Sequence, residues 1–161
     1  MIRGLAVAIA VVLGAALVGL ASLPTGASRA DAVVASDRRV AGETRVGDVK
    51  VLLVSKGGRL GVVVAYRDDK GWFGVPVEAA PRDATIAWAA TPGGGRVPAL
   101  SAVYGRVAGA SVDVRWADGR VSHAATATDG TFVVARRGRV RSSSVVVRAT
   151  AGAVVSEVHG P

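Results

Sequence analysis

From Val49 onward, short apolar runs alternate with polar or glycine-rich breaks. VKVLLVS precedes KGGR, LGVVVAYR precedes DDKG, WFGVPV precedes EAAPRD, and ATIAWAA precedes TPGGGRVP. ALSAVYGRV, SVDVRW, VSHAATA, TFVVA, SSVVVRA and AVVSEVH follow, with ADGR, TDG, RRGRVR and TAG among the breaks. Runs this short, recurring at roughly ten-residue spacing, predict an all-β fold: an antiparallel, sandwich-like body of about ten short strands. In SVDVRW, Val112, Val114 and Trp116 share one face while Asp113 and Arg115 share the other, the period of a strand with one wet face. Asp118-Gly119 and Asp129-Gly130 predict hairpin turns, because both residue types tolerate positive φ. Pro76 cannot donate to a ladder, so WFGVPV belongs at a sheet edge.

The N-terminal segment has a different pattern. Gly4 to Leu23 carries no charge, and only Ser22 has a polar side chain, before Pro24 and Gly26 break the run. As a helix it is long enough to cross a hydrocarbon core of about 30 Å. Residues 1–26 therefore read as a transmembrane anchor or a signal peptide, the length of the run favouring the anchor. Small-x-small cleavage sites stand near Ala27 and Ala32. Arg29, Arg38 and Arg39 outnumber Arg3, which taken alone favours a cytoplasmic C-terminal flank. The export-type layout argues the other way, and the expectation is an extracytoplasmic body, either on the cell membrane by a single pass through residues 4–23 or secreted after cleavage.

Residues 27–45 mix Ala, Ser and Gly with scattered charges and read as a juxtamembrane linker, with one short strand near Val33 and Val34. TPGGGRVP (91–98) is the best internal boundary, separating a small lobe (46–90) from a sandwich-like lobe (99–161). A single sandwich across the whole body is the alternative. VLLVSKGGRL and VDVRWADGRV share a strand–turn–strand outline, which generic β-meander patterning explains equally well.

Composition adds three constraints. Half of the residues are hydrophobic but only seven are aromatic, so the core must be built largely from valine, a residue suited to pleated sheets. The absence of cysteine excludes disulfides, thiolate catalysis and Cys-ligated zinc. The net charge of +8, carried mostly by arginine, favours anionic partners.

The densest charge is RRGRVR, residues 136 to 141. Between TFVVA and SSVVVRA it reads as a solvated hairpin loop in which Arg136, Arg137, Arg139 and Arg141 repel one another. Its functional reading is a surface for anionic lipid headgroups or wall polymers. Nucleic acid is not expected, because an exported body does not meet it and no aromatic interleaves these arginines. Trp72, Trp88 and Trp116 are candidates for carbohydrate stacking, with core packing as the competing use. No catalytic constellation is recognisable. Nothing resembles G-x-S-x-G, and adjacent Ser122 and His123 would point to opposite sheet faces. Asp68, Asp69, Asp118 and Asp129 lie in turns that favour Asp and lack hard-cation spacing. No cofactor or metal site is expected.

VYGRVAGASVDVRWADGR followed by TATDGTFVV resembles carboxypeptidase-regulatory-like modules, which are transthyretin-like β-sandwiches. Val103, Gly105 and Val107 match their V-x-G-x-V opening. Gly109, Ala110, Val112 and Val114 match the second strand, and Thr126, Thr128, Asp129, Gly130 and Phe132 match the third element, with a shortened Asp–Gly spacing. The resemblance covers residues 101–149 and departs at RRGRVR, where such modules often carry Gly-x-Tyr. It implies a noncatalytic binding, adhesive or spacer unit. The sequence as a whole predicts a noncatalytic envelope-associated binding module, with an unknown envelope protein as a further partner. The alternatives are an extracytoplasmic sensory or accessory subunit of a membrane complex, and, least favoured, a cryptic envelope hydrolase.

Overall fold

The computed structural model describes residues 38–68, 71–80, 84–95 and 97–160. The apolar run at residues 4–23, the cleavage sites and the strand expected near Val33 and Val34 lie outside the described residues.

The described chain is all-β, with eleven strands in three antiparallel sheets. The first sheet is a meander of β1 (Arg39–Val46), β2 (Val49–Lys56), β3 (Arg59–Asp68) and β4 (Gly71–Ala79) in that order. The second contains β5 (Ile86–Thr91), β6 (Leu100–Arg106) and β9 (Thr131–Arg137), with β6 in the middle. The third runs β11 (Val154–His159), β10 (Ser142–Arg148), β7 (Ser111–Trp116), β8 (Val121–Ala125).

The second sheet is the shared layer. On one face Ala87, Ala89, Leu100, Ala102, Tyr104 and Val133 pack with Val51, Leu53, Val62 and Val64 of the first sheet. On its other face Ile86, Val103, Phe132 and Val134 pack with Val112, Val114, Trp116, Val145 and Val147 of the third. A strand covered on both faces need not alternate apolar and polar residues. This is why ALSAVYG shows no apolar–polar alternation: six of the seven β6 residues are buried, Ser101 among them. β7 keeps the wet face its alternation predicts.

Three expectations are corrected. The linker assigned to 27–45 contains most of β1, which pairs with β2 across a two-residue turn at Gly47 and Asp48. A register shift between Val40 and Gly42 breaks its period, which hid the strand in the sequence. The segment 91–98 joins β5 to β6, which pair with each other, so the sheets do not divide the body there. Asp129-Gly130 forms a tight turn, with Gly130 N–H donating to Ala127 O (2.8 Å), but β8 and β9 belong to different sheets and form no hairpin. Pro76 stands on β4, an edge strand, as its chemistry requires.

Candidate functional site

RRGRVR is not a hairpin loop. Arg136 and Arg137 end β9, which pairs with β6, whereas β10 pairs with β7 and β11. Residues 138–141 therefore cross from the second sheet to the third, and the four arginines separate.

Alternation along β9 sends Arg136 and Arg137 to opposite faces. The guanidinium of Arg136 sits 5.4 Å from the ring centre of Trp116. Its Nη1 donates to Asp118 Oδ1 at 2.8 Å, with only 17% of the side chain exposed. This hydrogen bond is the main reason the Asp118 carboxyl is held below the usual 3.8 of an aspartate. Arg137 turns the other way: a Cβ built on Gly47, in the β1–β2 turn, would stand 3.0 Å from its Nη2. Arg139 and Arg141 are exposed and have no ion-pair partner among the described residues.

The crossing segment is pinned by its backbone. Gly138, at φ 94°, donates its N–H to Ala99 O (2.7 Å). The buried Ser101 hydroxyl donates to Gly138 O (3.0 Å) and accepts from Val140 N–H (2.9 Å). Ala117 N–H donates to Arg141 O (2.9 Å). Fixing the loop before a ligand arrives lowers the ordering entropy of binding.

The pinned loop forms one wall of a depression of about 690 Å³, lined by Trp88, Trp116, Arg139, Val140, Arg141 and Ser142. A mostly apolar concavity of this size with a few fixed polar groups is the usual form of a small-ligand site. Trp88 is half-buried, and its Nε1–H donates to Ser142 Oγ. Trp116 is 2% exposed, and its Nε1–H donates to Ser122 Oγ at 2.9 Å. Trp116 is thus floor and core, and its ring is covered by Arg136, which corrects its reading as an open stacking platform. Trp72 stands on β4, and its side chain lies outside the described residues.

The structure therefore brings together two groups that were separate in the sequence. Arg139 and Arg141 meet Trp88 in one pocket, whereas Arg136 has a structural role and Arg137 faces elsewhere. Sequence reasoning missed Ser101 and Ser142. Neither serine has a local signal, because each gains its role from a segment about 40 to 54 residues away in the chain.

The other polar cluster lies on the wet face of the third sheet. Asp113 accepts from Arg148 Nε (2.6 Å) and pairs with His123 Nδ1 (2.7 Å). Ser122 is engaged with the buried indole of Trp116, while the side chain of His123 is 63% exposed. The two neighbours face opposite ways, as strand geometry predicts.

The Asp118–Arg136 pair yields a pH prediction. A carboxylate whose folded pKa is depressed stabilises the fold above its unfolded pKa, and that contribution fades as pH falls through the folded value. Melting temperatures of wild type and Asp118→Asn are expected to differ in favour of wild type above pH 5. The gap should close as pH drops below about 3.8. An equal gap at pH 2.5 and pH 7 would mean the carboxylate charge is not what holds Arg136.

Comparison with protein-family models, with curated proteins and with solved structures returns no match for this chain.

Proposed function

We propose that this chain is a noncatalytic binding module of the bacterial cell envelope, and that the depression beside residues 138–142 holds an anionic ligand. One observation carries the reading: Arg139 and Arg141 project from a backbone-pinned segment at a walled pocket, with no carboxylate among the described residues to neutralise them. Guanidinium groups suit carboxylate and phosphate because their planar forks can donate two parallel hydrogen bonds. The envelope address rests on the apolar run from Gly4 to Leu23. Residues 101–149, which we propose to be transthyretin-like, span five strands, β6 to β10, divided between two sheets around one core.

The test is binding of the full chain, in neutral detergent, to a sensor coated with a polyanion at low salt. Arg139→Ser/Arg141→Ser is expected to weaken binding at least tenfold, and Arg67→Ser/Arg137→Ser, which removes the same two charges outside the pocket, by less than threefold. Equal losses from both variants would show that net charge alone is being read, and the pocket assignment would be abandoned.

A further inference from the structure

The geometry points to an acidic saccharide as the occupant of this pocket, namely a pyranose bearing a carboxylate or a phosphate. This rests on the anion-binding reading above and narrows it to a ligand class. The argument starts from what the pocket offers besides charge. Its walls include Ala89, Ala90 and Val140, and the half-buried indole of Trp88 stands among them. Trp88 spends its only donor on Ser142 Oγ, so what its ring adds to the pocket is apolar surface. A pyranose needs both kinds of surface. Its C–H faces are apolar and suit an indole, while its substituents are polar and lie around the rim. Arg139 and Arg141 are two residues apart on the pinned segment and line the same concavity, so two cationic residues border the place where an anionic substituent would lie.

The shape weighs against a membrane as the ligand. A bilayer presents a broad surface, and a docking face for it is best made from protruding cations spread over a convex patch. Here Arg139 and Arg141, neither ion-paired among the described residues, stand at an open concavity of about 690 Å³, a volume in the range of a small-molecule site. Of the other two arginines of the stretch, Arg136 is tied to Asp118 and Arg137 turns toward Gly47. The four charges therefore do not form one continuous basic face.

The experiment follows the indole N–H resonances of the ¹⁵N-labelled full chain in neutral detergent. The chain has three tryptophans, and Trp88→Phe assigns the signal of interest. The probes are a uronic-acid oligosaccharide, a sugar-phosphate polymer, the matching neutral oligosaccharide, inorganic phosphate, and vesicles containing 30% anionic lipid. The expected result is a saturable shift of the Trp88 signal with one or both acidic saccharides. The two acidic arms separate carboxylate from phosphate. The neutral sugar and inorganic phosphate should bind at least tenfold more weakly. Trp88→Ala should lose about tenfold in affinity for the acidic saccharide and Trp88→Phe less, with folding of each checked by its melting temperature. If Trp88→Ala is unfolded, the Phe variant together with Arg139→Ser/Arg141→Ser decides the matter, and unchanged affinity in both overturns the proposal. Polyanion or vesicle binding that depends on Arg139 and Arg141 but leaves the Trp88 signal unmoved by every saccharide overturns the saccharide and keeps the anion site. No binding of any anionic probe overturns both.

Discussion

Replacing Trp116 by alanine is expected to destabilise the folded body by about 3–5 kcal/mol in equilibrium denaturation, the usual cost of emptying a large aromatic site in a core. Trp116 is 2% exposed and packs in the core between the second and third sheets. Its indole N–H satisfies Ser122 Oγ, and its ring supports the Arg136 guanidinium. Truncation opens a cavity, leaves Ser122 without that donor and frees Arg136 from its stack. Trp116→Phe keeps most of the apolar volume but loses the hydrogen bond, and should cost about 1–2 kcal/mol. A loss below 1 kcal/mol for the alanine variant would show that Trp116 is not a core residue, and the account of the pocket floor would fall with it.

Gly105→Ala is expected to cost about 2–3 kcal/mol, against the modest gain that removing a glycine can bring by restricting the unfolded chain. A Cβ at this position would lie 2.1 Å from Thr85 O and 3.0 Å from Ile86 Cα, both backbone atoms. The same carbonyl accepts the N–H of Arg106 at 2.8 Å. Making room for a methyl group would therefore push β5 away from β6 at the centre of the molecule. Gly119→Ala is the control. Gly119 sits at φ 81° in the β7–β8 turn with nothing within 4 Å, so alanine there meets only backbone strain, about 1 kcal/mol. If the two variants were equally stable, close approach would not be the constraint at Gly105.

The glycines behind the family resemblance illustrate what local pattern carries. Gly105 and Gly130 both leave no space for a side chain, the second with Val107 O only 2.4 Å from a built Cβ. The sequence shows glycine at both places. It does not show which neighbouring strand makes glycine necessary, because Thr85 is twenty positions from Gly105 and belongs to a different apolar run.

Much of the β architecture is readable from one sequence because its causes are local. Short apolar runs, turn residues at ten-residue spacing and a lone proline on WFGVPV set the strands and put β4 at an edge. β1 escaped because a register shift near Gly42 broke its alternation. The placement of 91–98 was misjudged for a related reason: glycine and proline mark a reversal of the chain equally well whether it lies between lobes or within a hairpin.

The candidate site divides in the same way. Its arginines and tryptophans were visible as residue types, and their chemistry toward anions and sugars follows from the side chains themselves. Their partners were not visible. RRGRVR gave no indication that Asp118 would neutralise Arg136, that Trp116 would lie beneath it, or that Ser101 would fix residues 138–140. Those relations depend on β9 and β10 belonging to different sheets, which turns an expected hairpin into a crossing segment. By itself the sequence determined strand content, edge preference, the net positive charge and the valine-built core, because each is a property of residues and their near neighbours. That Arg136 is neutralised by Asp118, and that Arg139 and Arg141 share a wall with Trp88, was decided by sheet pairing between residues tens of positions apart. Period and composition carry no record of such pairings.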